Sequence, residues 1–240
     1  MSSLVDPESA GEAGRAAKAV GADDAGGARD VSEAPETGVP ERPRTKAGQS
    51  EATTAALIAA ARPLFAERGY AGVGAEEIVK RAGVTRGALY HHFRGGKEDL
   101  FRAVLVQVSA ESAQRVMQAA AGAKDPFEEL VLGSDAFLDS CTTPEFQRIV
   151  LIDGPAVLGW EVWRTADSDY ALGLLESVIQ QAINAGQLIA QPARALAHVL
   201  MGALDEAAMV IARAEDPEVA REEMGGTVRH LLDGLKTPET

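Results

Sequence analysis

With 240 residues, 46% of them hydrophobic, the chain has the apolar mass for one or two globular domains with a substantial core. Its single cysteine, Cys141, excludes an internal disulfide and any cysteine-cluster metal site. The formal net charge of −13 discourages indiscriminate wrapping on nucleic acid, so any DNA contact has to come from a local surface.

Residues 1–48 are rich in Ala, Gly, Glu, Asp and Pro without sustained periodicity, which predicts a disordered tail. The tail closes on a basic cluster, Arg42, Pro43, Arg44, Thr45 and Lys46. Arg44 and Lys46 are candidates for contact along a DNA backbone or in a minor groove, against the plainer alternative of a solvated linker. From Thr53 to Arg68, Leu57, Ile58, Ala61, Leu64 and Phe65 form one apolar stripe that closes at Gly69. Ala75 to Ala82 reads as a short second helix, ended by the Ala82-Gly83-Val84 turn. Thr85 is a natural N-cap for a third helix from Arg86 to Phe93, because its hydroxyl can accept an amide proton that no helical partner satisfies. On that helix Leu89 and Phe93 fall on one face, while Arg86, Gly87, Tyr90 and His91 lie on others. Two short helices joined by a tight glycine turn make a helix-turn-helix, and the first three helices share one small core over residues 49–96.

The remaining pattern, residues 97–236, is helical throughout. Lys97 to Ala121 is a long helix carrying Leu100, Phe101, Val104, Leu105, Val108 and Val116. Asp125-Pro126 and Thr143-Pro144 open two more, with proline at the tolerated first position. Asp153-Gly154-Pro155 is expected to break the second of these, leaving a short apolar loop from Ala156 to Trp163. Helices from Asp167 to Ala185, Pro192 to Ala214 and Pro217 to Leu235 complete an all-α chain.

The run L-F-A-E-R-G-Y (Leu64 to Tyr70), the run E-E-I-V-K-R-A-G-V-T-R-G-A-L-Y-H-H-F (Glu76 to Phe93) and K-E-D-L-F (Lys97 to Phe101) together resemble the TetR-type bacterial transcriptional regulators. The likeness spans Ala55 to Leu105. It implies an all-helical homodimer whose N-terminal three-helix domain reads operator DNA and whose C-terminal helices bind a small-molecule effector and the partner subunit. Thr85, Arg86 and Gly87 then correspond to the start of the recognition helix in the major groove, Tyr90 and His91 to contacts with phosphate or base edges, and Lys97 to a phosphate contact. The chemistry of these residues agrees: Arg86 can donate two hydrogen bonds to guanine O6 and N7, Gly87 allows close backbone approach, and Tyr90 and Lys97 offer donors to phosphate. Two departures stand out. Gly74 replaces the usual Ser or Thr cap of the second helix, with Glu76 where a basic residue is frequent, and Gly95-Gly96 is expected to loosen the entry to the fourth helix.

Charge is distributed accordingly. Residues 41–97 carry ten basic and five acidic side chains, whereas residues 98–240 carry ten basic and 23 acidic ones. The only net-basic stretch is the one with the motif, so DNA binding is expected to be strongly salt-dependent.

In the body, the Pro192 helix is apolar on more than one face, with Ala203, Ala207 and Gly202 permitting close approach. Leu196, Leu200, Ala203 and Ala207, with Val228, Leu231 and Leu232 of the last helix, are the expected dimer interface by resemblance; the alternative is an intramolecular core pair. Met117, Phe137, Cys141, Phe146, Trp160, Trp163, Tyr170 and His198 are the candidate effector contacts, each with plain core packing as its alternative. His91 and His92 are adjacent and point about 100° apart on a helix, which disfavours a shared metal. No Ser-His-Asp set, metal-ligand spacing or glycine-rich phosphate loop is present, so neither an enzyme nor a cofactor is expected. No N-terminal apolar run resembles a signal peptide or membrane span, which implies a cytoplasmic protein without a membrane partner. The expected function is a regulator, most simply a repressor, that binds a palindromic operator and is released by a small molecule. The rival is a ligand-independent architectural or adaptor DNA binder.

Overall fold

The computed structural model describes residues 46–165 and 168–238, excluding the side chains of Lys46 and of residues 164–170. Residues 1–45 of the tail, Arg44 among them, and the side chains of Lys46 and Tyr170 therefore lie outside the described residues, while residues 46–48, expected in the tail, belong to the first helix. Among the described residues the structure is helical, with one isolated bridge between Leu188 and Lys236.

Helix α1 spans Lys46–Arg68, beginning earlier than the sequence pattern suggests. Thr53 lies inside it: its hydroxyl, and that of Thr54, bond back to the carbonyls of Gln49 and Ser50 four residues earlier instead of capping the helix start. Gly69 ends α1 with φ of 69°. Helices α2 (Ala75–Arg81) and α3 (Arg86–His92) follow, joined by Gly83, also at positive φ. Leu57, Ala61, Phe65, Ile78, Leu89 and Phe101 are fully buried and form the shared core of this head, with Phe65 and Phe101 edge to face at 5.2 Å.

Helix α4 (Lys97–Ala120) runs from the head into the body. Its entry is pinned, not loosened: the Gly95 N–H donates to Asp99 Oδ2 at 2.6 Å, and the Gly96 N–H donates to the Phe93 carbonyl at 2.8 Å. The two glycines fit here because a Cβ on Gly95 would meet the Asp99 carboxylate and one on Gly96 the Tyr90 ring.

The body comprises α5 (Pro126–Ser140), α9 (Ser168–Asn184), α10 (Ala193–Arg213) and α11 (Pro217–Asp233); α5 packs on α4, and α9 and α11 pack on α5 and on α10. Asp125 and Asp216 cap α5 and α11 ahead of a proline at the first turn. Arg221 and Arg229 of α11 converge on Asp135, and Arg221 also holds Asp139 at 2.6 Å, which locks α11 to α5. Helix α10 is long and apolar enough to cross a membrane by length and composition; Ala193, Ala197, Leu200, Leu204, Ala207, Ala208 and Ile211 bury one of its faces in the bundle.

The expected break at Asp153-Gly154-Pro155 does not occur. Helix α6 (Pro144–Phe146) continues as a π-helical segment, Gln147–Asp153, and then as α7 (Gly154–Leu158). Proline lacks the N–H that a widened i→i+5 turn would direct from position 155 to the carbonyl of Val150. The Trp163 indole Nε1–H donates to that carbonyl instead, at 2.7 Å. Widening the turn accommodates Pro155 without interrupting the helix. The anticipated loop is likewise helical, ending α7 at Gly159 (φ 80°) and resuming as α8 (Trp160–Thr165).

Candidate nucleic-acid interface

Thr85 opens α3 in extended backbone conformation, and its Oγ1 accepts the Ala88 N–H at 3.2 Å. This cap fixes the rotation of the helix, so Leu89 is buried while Thr85, Arg86, Gly87, Tyr90 and His91 form one exposed face. Inside the protein only the Thr85 hydroxyl approaches the space beside the Gly87 α-carbon, at 3.8 Å, so internal packing does not demand glycine there. What the missing Cβ leaves is clearance for a molecule outside.

Arg86 is exposed but oriented. Its Nη1 lies 3.2 Å from Glu76 Oε1, and its guanidinium is 5.8 Å from the centre of the Tyr90 ring. The acidic residue at the start of α2 thus holds the guanidinium over the first turn of α3. Tyr90 in turn rests on Gly96. His92 is half-buried, its ring edge to face with that of His91 at 5.1 Å and its Nδ1 3.2 Å from Thr54 Oγ1 on α1.

Lys97 behaves differently from its companions. Its ammonium turns inward, donating to the carbonyls of Tyr70 at 2.9 Å and Val73 at 3.0 Å, and stands 3.9 Å from the centre of the Tyr70 ring. Burial pushes its pKa below the ordinary lysine value. In this geometry Lys97 fastens the α1–α2 connection to α4, and it does not point outward to a phosphate. Exposed cations that do face outward in the same net-basic stretch are Lys80, Arg81 and Arg94.

The head is tied to the body at two places. Arg62 of α1 makes paired hydrogen bonds to Glu111 of α4 (2.5 and 2.7 Å) and to Glu145 of α6 (2.8 and 2.7 Å). Beyond α1, the Tyr70 N–H donates to Asp153 Oδ2 at 2.6 Å.

Of the expected effector contacts, Cys141 and Phe146 are buried, and Phe146 packs edge to face with half-buried Phe137 at 6.4 Å. Burial pushes the Cys141 thiol up to about 12. Trp163 packs against Trp160 at 5.1 Å and is committed to Val150. Met117, Trp160 and His198 are exposed, so the structure does not bring the set together around one enclosed space. Two open clefts are present elsewhere, one of about 360 Å³ beside Lys124, Phe127, Val131 and Arg229, the other along α9.

The expected dimer residues also divide. Leu200, Ala207, Val228 and Leu232 are buried within the chain's own core, Leu196 and Ala203 are half-buried, and Leu231 is 56% exposed. The outward faces carry apolar residues outside the expected interface set: Val199 (70% exposed) and Val210 on α10, and Val219 on α11, with open space beside Gly202 and Gly226.

Residues 57–104 match the family described as bacterial regulatory proteins, tetR family, and residues 127–235 match a tetracyclin repressor-like C-terminal domain. The chain is 30% identical over 149 residues to the HTH-type transcriptional regulator SrpR of Pseudomonas putida, spanning 60% of this chain and 68% of that protein. The chain belongs to the TetR family. Another relative is the transposon Tn10 TetC protein of Escherichia coli, 26% identical over 63% of this chain and 76% of TetC. The crystal structure of a TetR-family regulator from Pectobacterium atrosepticum is 36% identical and superposes with a TM-score of 0.73, covering 82% of this chain and all of that one. As a TetR-family member with a helix-turn-helix domain, the protein is a DNA-binding transcriptional regulator.

Proposed function

We propose that the protein is an effector-responsive repressor that binds a palindromic operator as a homodimer in the cytoplasm. The observation that carries this reading is the exposed face of α3, where Arg86 is held in place by Glu76 and Tyr90 beside the open backbone of Gly87. A short helix with a pre-oriented guanidinium at its first turn suits guanine recognition in the major groove. Repression is supported by relatives named as repressors, among them BepR of Brucella suis, 36% identical over 45% of this chain and 51% of that protein.

Dimerisation through the outward faces of α10 and α11 is supported by apolar side chains left at the surface around small residues. Two α3 helices related by a two-fold axis require half-sites about one helical turn apart, or a simple multiple of it. The interior between α4, the π-helical segment and α10 is apolar, which favours an apolar effector there.

Footprinting of the duplex upstream of its own gene tests the DNA reading. Protection of a two-fold symmetric site, weakening steeply as salt rises, supports it. Indifference to that duplex at low salt, with effector absent, removes it. A metabolite panel separates the repressor from a ligand-independent architectural protein, since an effector must both raise the melting temperature and release DNA.

A further inference from the structure

We infer that Asp153 and Arg148, presented together by the π-helical turn, are positioning residues that hold the DNA-reading head at a fixed angle to the body. Residues five apart on an α-helix lie about 140° apart and face different neighbours. The wider turn of the Gln147–Asp153 segment brings both to the same neighbour. Asp153 Oδ2 accepts the Tyr70 N–H at 2.6 Å, a backbone donor that helix ends often return to their own last turn. Arg148 lays its guanidinium against Gly69, where any Cβ would collide with it, and its Nε lies 3.4 Å from the same Asp153 oxygen. The body thereby grips both residues that leave α1.

The register of the segment is fixed from the other side. The Val150 carbonyl is taken by the Trp163 indole, and a Cβ on Gly154 would approach Trp163 Cδ1 to 2.7 Å and Leu105 Cδ1 to 2.9 Å. A return to α-helical register would turn Asp153 away from Tyr70 and leave the Arg62 pairs as the remaining tie, about which the head can swing. Head angle matters because two heads must meet one duplex at once, and in that respect the inference rests on the dimeric DNA-binding reading.

The test is a distance distribution between spin labels at Arg94→Cys and Gln180→Cys within one full-length chain, diluted with unlabelled chain; Cys141 is buried and stays unlabelled. A narrow reference distribution that broadens in Asp153→Ala, with recovery in Asp153→Asn, whose amide oxygen still accepts the Tyr70 N–H, supports the clamp. Should Asp153→Ala fail to fold, Arg148→Ala takes its place with the same expectation. A broad reference distribution, or one unchanged in whichever of these variants folds, overturns it. On a duplex bound by the parent chain, Asp153→Ala is expected to bind about tenfold more weakly. If the parent binds no duplex, the DNA reading falls, while the distance measurement still decides the clamp.

Discussion

Glu76 Oε1 stands 3.2 Å from Arg86 Nη1, joining the first turn of α2 to the first turn of α3, the helix proposed to read DNA. Both side chains are largely exposed, so the pair adds little to folding. Its consequence lies in what the guanidinium can reach. Glu76→Gln is expected to strengthen binding to arbitrary duplexes, by removing a negative charge near phosphates, while freeing Arg86 from its rotamer. The ratio of operator to scrambled-duplex affinity should therefore fall in competition titrations; an unchanged ratio would show that the pair has no part in selectivity.

Arg86 and Lys97 are expected to fail differently. Arg86→Ala should cost about 1–3 kcal/mol of operator binding and relax preference at one base position, with stability unchanged. Lys97→Ala removes two hydrogen bonds and a ring contact inside the head, so its principal effect should be a loss of about 1–2 kcal/mol of stability. Chemical denaturation beside salt-titrated binding separates the two. A Lys97→Ala protein of full stability whose salt dependence is reduced would instead support the phosphate role.

Val199 is among the most exposed apolar side chains on α10, at 70%. Val199→Asp is expected to leave the protomer folded and shift it to monomer, because a carboxylate would be buried unpaired in the interface. Analytical ultracentrifugation at micromolar concentration reads the outcome, and a dimer of unchanged affinity would place the interface elsewhere.

The Arg62 guanidinium holds the Glu111 carboxyl below the ordinary glutamate value. A depressed carboxylate contributes stability that is complete above its unfolded value and is lost as pH falls through the folded one. Acid should thus loosen the tie between α1 and α4 as pH drops below the usual glutamate range. Denaturation midpoints from pH 7 down to pH 3 should show Glu111→Gln with a flatter decline than the parent chain. Partial exposure of the pair keeps the effect modest.

Cys141 is buried with its thiol pushed up to about 12, so it is held as the unreactive thiol at pH 7. Thiol-reactive dye should label the native protein very slowly and the unfolded protein at once. Rapid native labelling would show that the space between α5 and the π-helical segment opens readily.

The head was readable from the sequence because its signals are local. Gly69, Gly83 and Thr85 act on their own neighbours, and the structure places each turn and cap where those residues dictate. The body hid more. Helix α10 is apolar on two sides, and periodicity alone could not assign Leu200 and Ala207 to the chain's own core and Val199 to the surface. The inward turn of Lys97 depends on carbonyls 24 and 27 residues away, which no local pattern reveals. At Pro155 the local rule predicted a break, and a distant indole supplied the missing donor.

A widened turn consumes more backbone for the same axial advance than a regular coil. Gln147–Asp153 therefore carries surplus length, which places it among the spots where a one-residue deletion could be absorbed without breaking the rod. Such a deletion would return the segment to regular α-helical register, changing which of its own side chains face inward while α7 stays in phase. Lineages differing by that single codon would share a DNA-facing surface yet turn different residues toward the interior.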